Sequence, residues 1–364
     1  MSKIIVSVTN DLATDQRVDK VCNWLVSQDF EVTLVGRKLK NSPDLKRNYT
    51  TKRFKLLFNK GFLFYAEYNL RLFFYLLFQK KDFLLSNDLD TLLANYIVSK
   101  TQQTKLVYDS HELFTEVPEL INRPKIQKIW LKLEQFILPK LKNCYTVCDS
   151  IADYYNQKYD TNFKVIRNVP ILSKINSDYQ FPFNTKQKKV IIYQGALNIG
   201  RGIELLIDTM TYLENTIFVI IGTGYLENQL KQRVINNKLN DKVKFLGRIP
   251  PNKLKKITPK ADLGISLEED IGLNYHFALP NKIFDYIHAE IPVLVSDLPE
   301  MKKIVNHFQI GEIVTNRNPK IVAKQLKNYL KTPKTQYSEN LLKAKNILNW
   351  NIESKKLLNL FKNR

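Results

Sequence analysis

The segment Tyr193-Gln194-Gly195-Ala196-Leu197-Asn198-Ile199-Gly200-Arg201-Gly202-Ile203-Glu204 has the residue types to hold an anion. Val190 to Tyr193 reads as a strand, and a helix is predicted to open at Gly202. The loop between them carries Gly195, Asn198 and Gly200. Such a junction turns backbone N–H groups toward a phosphate at a helix N-terminus. Arg201 adds a planar fork that can pair with two phosphate oxygens. The same residues would also serve as an ordinary strand-to-helix turn with a solvated arginine. The loop is not G-x-G-x-x-G, and the first junction of the chain, Thr9-Asn10-Asp11-Leu12, lacks glycine, which argues against a nicotinamide dehydrogenase.

A second constellation is Leu279-Pro280-Asn281-Lys282-Ile283-Phe284-Asp285-Tyr286. Pro280 and Asn281 suit a helix start. Lys282 and Asp285 are three apart and share one helical face. A cation in the first turn would meet a diphosphate, and a carboxylate one turn deeper would accept from both hydroxyls of a ribose. The plainer alternative is a surface ion pair, worth roughly a few tenths of a kcal/mol. The segment follows a glycine-containing loop, Glu268 to Leu279.

These groups need a scaffold, and the apolar periodicity predicts one. Strands are read at Ile4 to Val8, Glu31 to Val35, Phe83 to Ser86, Leu106 to Tyr108, Tyr145 to Val147 and Val165 to Ile166, with helical stretches between most of them. After a pause the alternation resumes at 190–193, 218–221, 243–246, 263–266, 293–296 and 312–314. Such alternation means parallel strands with crossover helices. The expected architecture is α/β, with two doubly wound Rossmann-like domains facing each other across a cleft. The expected boundaries are 1–168, a linker 169–188 holding Pro170 and Pro182, a second domain 189–345, and a C-terminal helix 346–364 packing back on the first domain. Ligands of open α/β sheets lie beyond the carboxyl ends of the strands.

Composition narrows the partners. The 364 residues carry a formal charge of +21, and 44% are hydrophobic, enough for real cores. Nine basic residues and one acid, Asp44, lie between Arg37 and Lys60, and twelve basic residues stand against Glu339 and Glu353 from Arg317 onward. Either this is solvated surface or it faces an anionic partner. Phe54 to Phe83 is dense in aromatic and leucine side chains, but Glu67, Asn69 and Arg71 keep its uncharged runs far below the ~20 residues that span a bilayer. It reads either as a buried helix or as an interfacial membrane helix beside the basic stretch. Three cysteines and four histidines argue against a disulfide framework and a metal site, and no Asp-x-Asp pair stands out as a metal ligand set. The N-terminus lacks a signal-peptide layout, so a cytoplasmic location is expected, with peripheral contact at the inner face of the plasma membrane.

Gly195 to Leu206, the turn Ile220-Ile221-Gly222-Thr223-Gly224, Phe245-Leu246-Gly247 and Leu279 to Val295 resemble, in order and spacing, the family 4 glycosyltransferases. Thr14-Asp15-Gln16-Arg17-Val18 resembles the Asp-x-Arg-Val start of a bacterial surface-polysaccharide subgroup. Tyr108-Asp109-Ser110-His111-Glu112-Leu113 sits where the family has its active-site histidine. The resemblance covers the whole chain. It implies the GT-B fold, retention of anomeric configuration, and transfer of a sugar from a nucleotide-sugar donor to a saccharide or lipid-linked acceptor, with no metal or other cofactor. It places the donor on Gly195, Asn198, Gly200, Arg201, Gly202, Gly222, Gly224, Asn281, Lys282 and Asp285. It makes His111, Arg201 and Lys282 catalytic, and gives substrate contacts to Asp15, Arg17 and Glu112. Domain closure would then exclude water from the reaction.

The sequence departs from the family pattern. Position 285 is Asp where Glu is usual, and eight residues earlier stands Phe277 rather than the first acid of the family's pair. Glu268 and Glu269 lie nearby at a different spacing. Ala196 takes the place of a second phosphate-binding arginine. A nucleotide-sugar 2-epimerase would share the architecture, but its acidic catalytic residues are not evident. A basic nucleic-acid-binding protein would explain the charge, but no recognition module appears, so no nucleic-acid partner is expected.

Overall fold

The computed structural model describes residues 1–13 and 15–361; Thr14 of the Asp-x-Arg-Val segment and the last three residues of the expected C-terminal helix lie outside them. The chain divides into two compact units, one comprising Met1–Asn168 with Glu353–Arg364, the other Val169–Ile352. Residues 169–188 contain no helix or strand.

The first unit is built on β1 (Lys3–Asp11), β2 (Glu31–Arg37), β3 (Thr50–Phe54), β4 (Phe83–Asn87), β5 (Lys105–Ser110), β6 (Asn143–Thr146) and β7 (Lys164–Val165). They form one parallel sheet in the order β3-β2-β1-β4-β5-β6-β7. The order reverses at β1, so a crevice opens beyond the carboxyl ends of β1 and β4. Strand β3 is absent from the sequence expectation. Its Thr-Thr-Lys-Arg-Phe has no apolar run, and it occupies an edge, where exposed Lys52 discourages pairing with another chain.

The second unit is built on β8 (Lys189–Gln194), β9 (Thr216–Ile221), β10 (Val243–Gly247), β11 (Leu263–Ser266), β12 (Val293–Ser296) and β13 (Gly311–Val314). These are also all parallel, in the order β10-β9-β8-β11-β12-β13, with the reversal at β8. Tyr193, Phe218, Ile220, Leu206, Ile207 and Leu230 belong to its main core cluster. Burying these side chains contributes roughly 1.5–3 kcal/mol each for the aliphatic and Phe positions.

The expected C-terminal helix 346–364 is not one helix. Ser338–Ile347 ends, Asn349 then accepts from the backbone N–H of Ile352 through its side chain, and short turns follow at Trp350–Glu353, Ser354–Leu357 and Leu358–Phe361. An asparagine in that position restarts a helix, which breaks the continuous period. Phe361 packs edge-on against Phe30 and Phe83 inside the first unit.

The helix Gly61–Phe78 resolves the aromatic segment into two faces. Phe64, Tyr68, Leu72 and Leu76, four residues apart, are buried. Phe62, Leu63, Leu70, Phe74 and Phe78 of the same helix are exposed, with Leu57 and Phe58 just before it. Among the described residues no helix is long and apolar enough to cross a membrane.

Candidate donor and histidine sites

Residues following β8 and β11 and the first turn of the helix Asn281–His288 come together at the switch point of the second sheet. Gly202 ends the β8 loop at φ +68°, and a Cβ there would collide with the carbonyl of Leu267, so only glycine lets this loop lie on the end of β11. Arg201 is thereby held beside that end. Its guanidinium lies 5.1 Å over the Tyr275 ring and 3.8 Å from Oε1 of Glu268.

Lys282 is buried in the first turn of its helix. Its Nζ donates to Glu268 Oε1 at 2.6 Å and lies 4.2 Å over the Tyr193 ring. Glu268 is 1% exposed, and its Oε2 accepts from the Ser266 hydroxyl at 2.7 Å. Burial pushes the Glu268 carboxyl up, but Lys282, Ser266 and Arg201 outweigh it and hold the group below its ordinary value. Burial pulls Lys282 down; Glu268 opposes this, Arg201 adds to it, and the ammonium stays below its ordinary value. Sequence spacing alone does not single out Glu268. The signal for it is that it lies two residues past the end of a strand at the switch point.

Asp285 lies one turn beyond Lys282. Its Oδ2 accepts from Gln194 Nε2 at 3.0 Å, and Gln194 Oε1 in turn accepts from the Thr258 hydroxyl at 2.9 Å. Gln194, the last residue of β8, is buried, and no local spacing marks it as a site residue. It fixes the carboxylate that sequence spacing assigns to a ribose. Phe277 is half-buried on the short helix-and-loop segment between β11 and this helix, and it brings no acid there.

Other expected residues take different duties. Gly222, at φ +143°, and Gly224 face the backbone of Gly195 and Leu197 respectively, so a Cβ at either would strike the β8 loop. Both glycines thereby seat that loop. Asn198 Oδ1 accepts from the Tyr225 N–H at 3.4 Å. Asn281 is the exposed first residue of its helix, and its side chain makes no cap, because Pro280 is the N-cap. Gly195 is exposed and Gly200 is buried.

In the first unit, Asp88 and His111 follow β4 and β5. The ring of His111 lies between two carboxylates, with Nδ1 3.1 Å from Asp88 Oδ2 and Nε2 3.0 Å from Asp109 Oδ2. Its backbone N–H also donates to Asp88 Oδ1 at 2.8 Å. Burial lowers the imidazole, but the charges of Asp88 and Asp109 dominate and hold it well above its ordinary value. Both ring nitrogens then donate, so His111 offers a fixed positive charge rather than a base.

Arg17, expected to contact substrate, is engaged within the first unit. It is buried, with Nε and Nη2 on the two oxygens of Asp109 at 3.0 and 2.8 Å and Nη1 on the carbonyl of Ile166 at 3.3 Å. Burial raises the Asp109 carboxyl, but Arg17 and His111 outweigh it and take it down to about 2. Asp15 caps the helix Gln16–Ser27 by accepting from the Val18 N–H, and its other oxygen takes Asn10 Nδ2. Glu112 is exposed beside His111.

The sequence does hold one Asp-x-Asp triplet, Asp88-Leu89-Asp90, and the structure turns its acids to different partners. Asp88 meets His111, whereas Asp90 accepts from the Thr9 hydroxyl at 2.5 Å. Among the described residues no group of three or more His, Cys, Asp or Glu is placed to hold a metal ion.

Comparison with known proteins gives this geometry a context. Residues 176–345 match the family described as "Glycosyl transferases group 1". The chain is 24% identical over 263 residues to the chitobiosyldiphosphodolichol beta-mannosyltransferase of Candida albicans, covering 62% of this chain and 54% of that protein. The chain spans about a third to about half of the length of the curated relatives it matches. Among solved structures, sucrose-phosphate synthase from Thermosynechococcus elongatus superposes with a TM-score of 0.83 at 14% identity, over 99% of this chain and 98% of that one. Anabaena HepE in complex with UDP-glucose gives 0.73 at 14% identity, over 99% of both. Likeness at that identity establishes the fold. The expectation of the GT-B fold is borne out, and the match over residues 176–345 supports the expectation of a glycosyltransferase. The matched residues 176–345 lie within the second unit, and both units are Rossmann-like domains of the GT-B fold.

Proposed function

We propose that the chain transfers a sugar from a nucleotide-diphosphate donor to a saccharide or lipid-linked acceptor, with retention at the anomeric carbon. The observation that carries this reading is the grouping of Arg201, Lys282 and Asp285 at the switch point of the second sheet. Two cations lie within reach of one point, and a carboxylate set by Gln194 stands one helical turn away.

Breaking the sugar–phosphate bond builds negative charge on the leaving diphosphate. In this reading Arg201 and Lys282 stabilise that charge without a metal ion. Each such contact supplies roughly 2–4 kcal/mol of barrier by analogy with single oxyanion-hole donors. Asp285 accepts from the ribose hydroxyls. No residue of the C-terminal site is placed in the role of nucleophile, so the acceptor hydroxyl attacks on the face from which the diphosphate leaves. His111, held as a cation, orients and polarises groups of the reacting sugars; it does not take the acceptor proton, which passes to the departing phosphate.

The acceptor reading draws on the exposed apolar face of the helix Gly61–Phe78, next to the basic stretch before it. Aromatic side chains beside lysines suit the headgroup region of an anionic membrane, at its cytoplasmic face. A lipid-linked acceptor of surface-polysaccharide synthesis is the substrate class that fits.

The test is turnover. Purified protein is incubated with radiolabelled UDP-, GDP- and ADP-sugars and a lipid-linked saccharide extract. Acceptor-dependent labelling from one donor is the expected result. Conversion of a UDP-sugar into its 2-epimer with no acceptor present would replace the reading.

A further inference from the structure

Glu268 is a buried carboxylate surrounded by the cations that the donor would use. Oε1 accepts from Lys282 Nζ at 2.6 Å and lies 3.8 Å from Arg201 Nη1, while Oε2 accepts from Ser266 Oγ at 2.7 Å. Its main chain is fixed as well. The Glu268 carbonyl accepts from Ser296 Oγ at 2.6 Å and from Arg317 Nη1 at 3.3 Å. The carboxylate therefore has little freedom, and Lys282 and Arg201 converge on one oxygen.

We propose that Glu268 is a positioning residue of the donor site: its carboxylate holds the Lys282 ammonium and the Arg201 guanidinium around one point, from which they exchange onto a nucleoside diphosphate. This rests on the reading of Arg201 and Lys282 as diphosphate-binding. It also gives Glu268 a use different from that of the missing acid at Phe277, since it acts through the cations.

The charges around Lys282 explain why such a residue is needed. Facing its ammonium are Glu268 from the end of β11, Arg201 from the loop after β8, and the Tyr193 ring of β8 itself. Asp285, on the same helix, accepts from Gln194. A buried ammonium beside a guanidinium tends to shed its proton, and Glu268 is the group that opposes this. Without it the lysine would become a neutral amine as the pH rises, and a neutral amine does not grip a diphosphate.

The experiment is calorimetric titration of UDP, GDP and ADP into wild type, Glu268→Gln and the double variant Glu268→Gln with Lys282→Arg, from about pH 6.5 to about pH 9.5, spanning the range below the ordinary lysine value. Wild type should bind one nucleotide with little pH dependence. Glu268→Gln should lose affinity toward alkaline pH, by up to about tenfold per pH unit for a single proton. The double variant should be flat, because arginine keeps its charge. A purely structural role for Glu268 would weaken binding equally at every pH. No nucleotide binding by wild type would sink the donor reading itself. Wild-type binding together with a pH-flat Glu268→Gln would overturn the present inference alone. Should Glu268→Gln not fold, Glu268→Asp decides, because it keeps the charge but withdraws it by one methylene from Lys282 and Arg201. A folded Glu268→Asp whose nucleotide affinity falls toward alkaline pH supports the inference. Wild-type, pH-flat binding by it, or failure of it to fold, overturns the inference.

Discussion

His111 and Asp90 show how single residues in the first unit divide charge between them. His111 is held as a cation by Asp88 and Asp109, and Asp109 is neutralised again by Arg17. Because the folded value of His111 is raised, its contribution to stability is complete below the unfolded value of about 6.5 and is lost as pH rises through the folded one. Asp90 has the opposite sign. Burial and the charge of Asp88 raise its carboxyl to about 7, against the unfolded 3.8. A raised carboxyl costs stability as pH climbs from about 4 to about 7, and the full cost remains above that. Asp90→Asn keeps an acceptor for Thr9 and removes the ionisation. It is expected to exceed wild type in stability above pH 7 by on the order of 1–3 kcal/mol and to match it below about pH 4. Urea unfolding at both pH values checks this, and equal curves at high pH would contradict it. Arg201, Lys282 and Asp285 were legible in the sequence because each has a local signature: a glycine-flanked loop, or a three-residue helical spacing. Gln194, Glu268 and Asp88 were not. Their partners lie 91, 14 and 23 residues away, and no local period reports a contact over such distances. Arg17, in the first turn of the helix Gln16–Ser27, has its partner Asp109 92 residues away, beyond the reach of any local spacing.

At the scale of elements, hydrophobic runs locate twelve of the thirteen strands among the described residues to within a few residues and miss β3, whose charged alternation looks like surface. The aromatic helix Gly61–Phe78 left two readings open, and the structure shows why both had support: one stripe is buried and another is exposed. If that exposed stripe meets lipid, Phe62→Ser with Phe78→Ser should bind anionic vesicles at least about tenfold more weakly, since each Phe withdrawn from water contributes roughly 1.5–3 kcal/mol. Vesicle co-sedimentation measures this, and unchanged binding would remove the helix from the membrane proposal. The β8 loop makes a separate prediction. Gly202→Ala should cost more than about 1–3 kcal/mol, because left-handed strain adds to a clash with the Leu267 carbonyl. Its melting temperature should fall together with nucleotide affinity, and a variant of wild-type stability would show that the loop can lie elsewhere.

For the whole molecule, the +21 charge is the property most open to a bulk measurement. Attraction between a basic surface and anionic lipid weakens as salt shortens the Debye length from about 10 Å at 0.1 M to about 3 Å at 1 M. Vesicle binding should therefore fall steeply over that range, and salt-independent binding would leave the charge without a lipid role. The central claim is more local: the second unit grips a nucleotide-sugar through Arg201, Lys282 and Asp285. Its most direct test is thermal denaturation with UDP, GDP, ADP and their sugars, for wild type and Arg201→Ala. A ligand at 100 times its Kd adds about 2.7 kcal/mol, or roughly 5–10 °C for a domain of this size. Such a shift is expected from one nucleotide series in wild type, and its loss in Arg201→Ala. No shift with any nucleotide, or an equal shift in the variant, would contradict it.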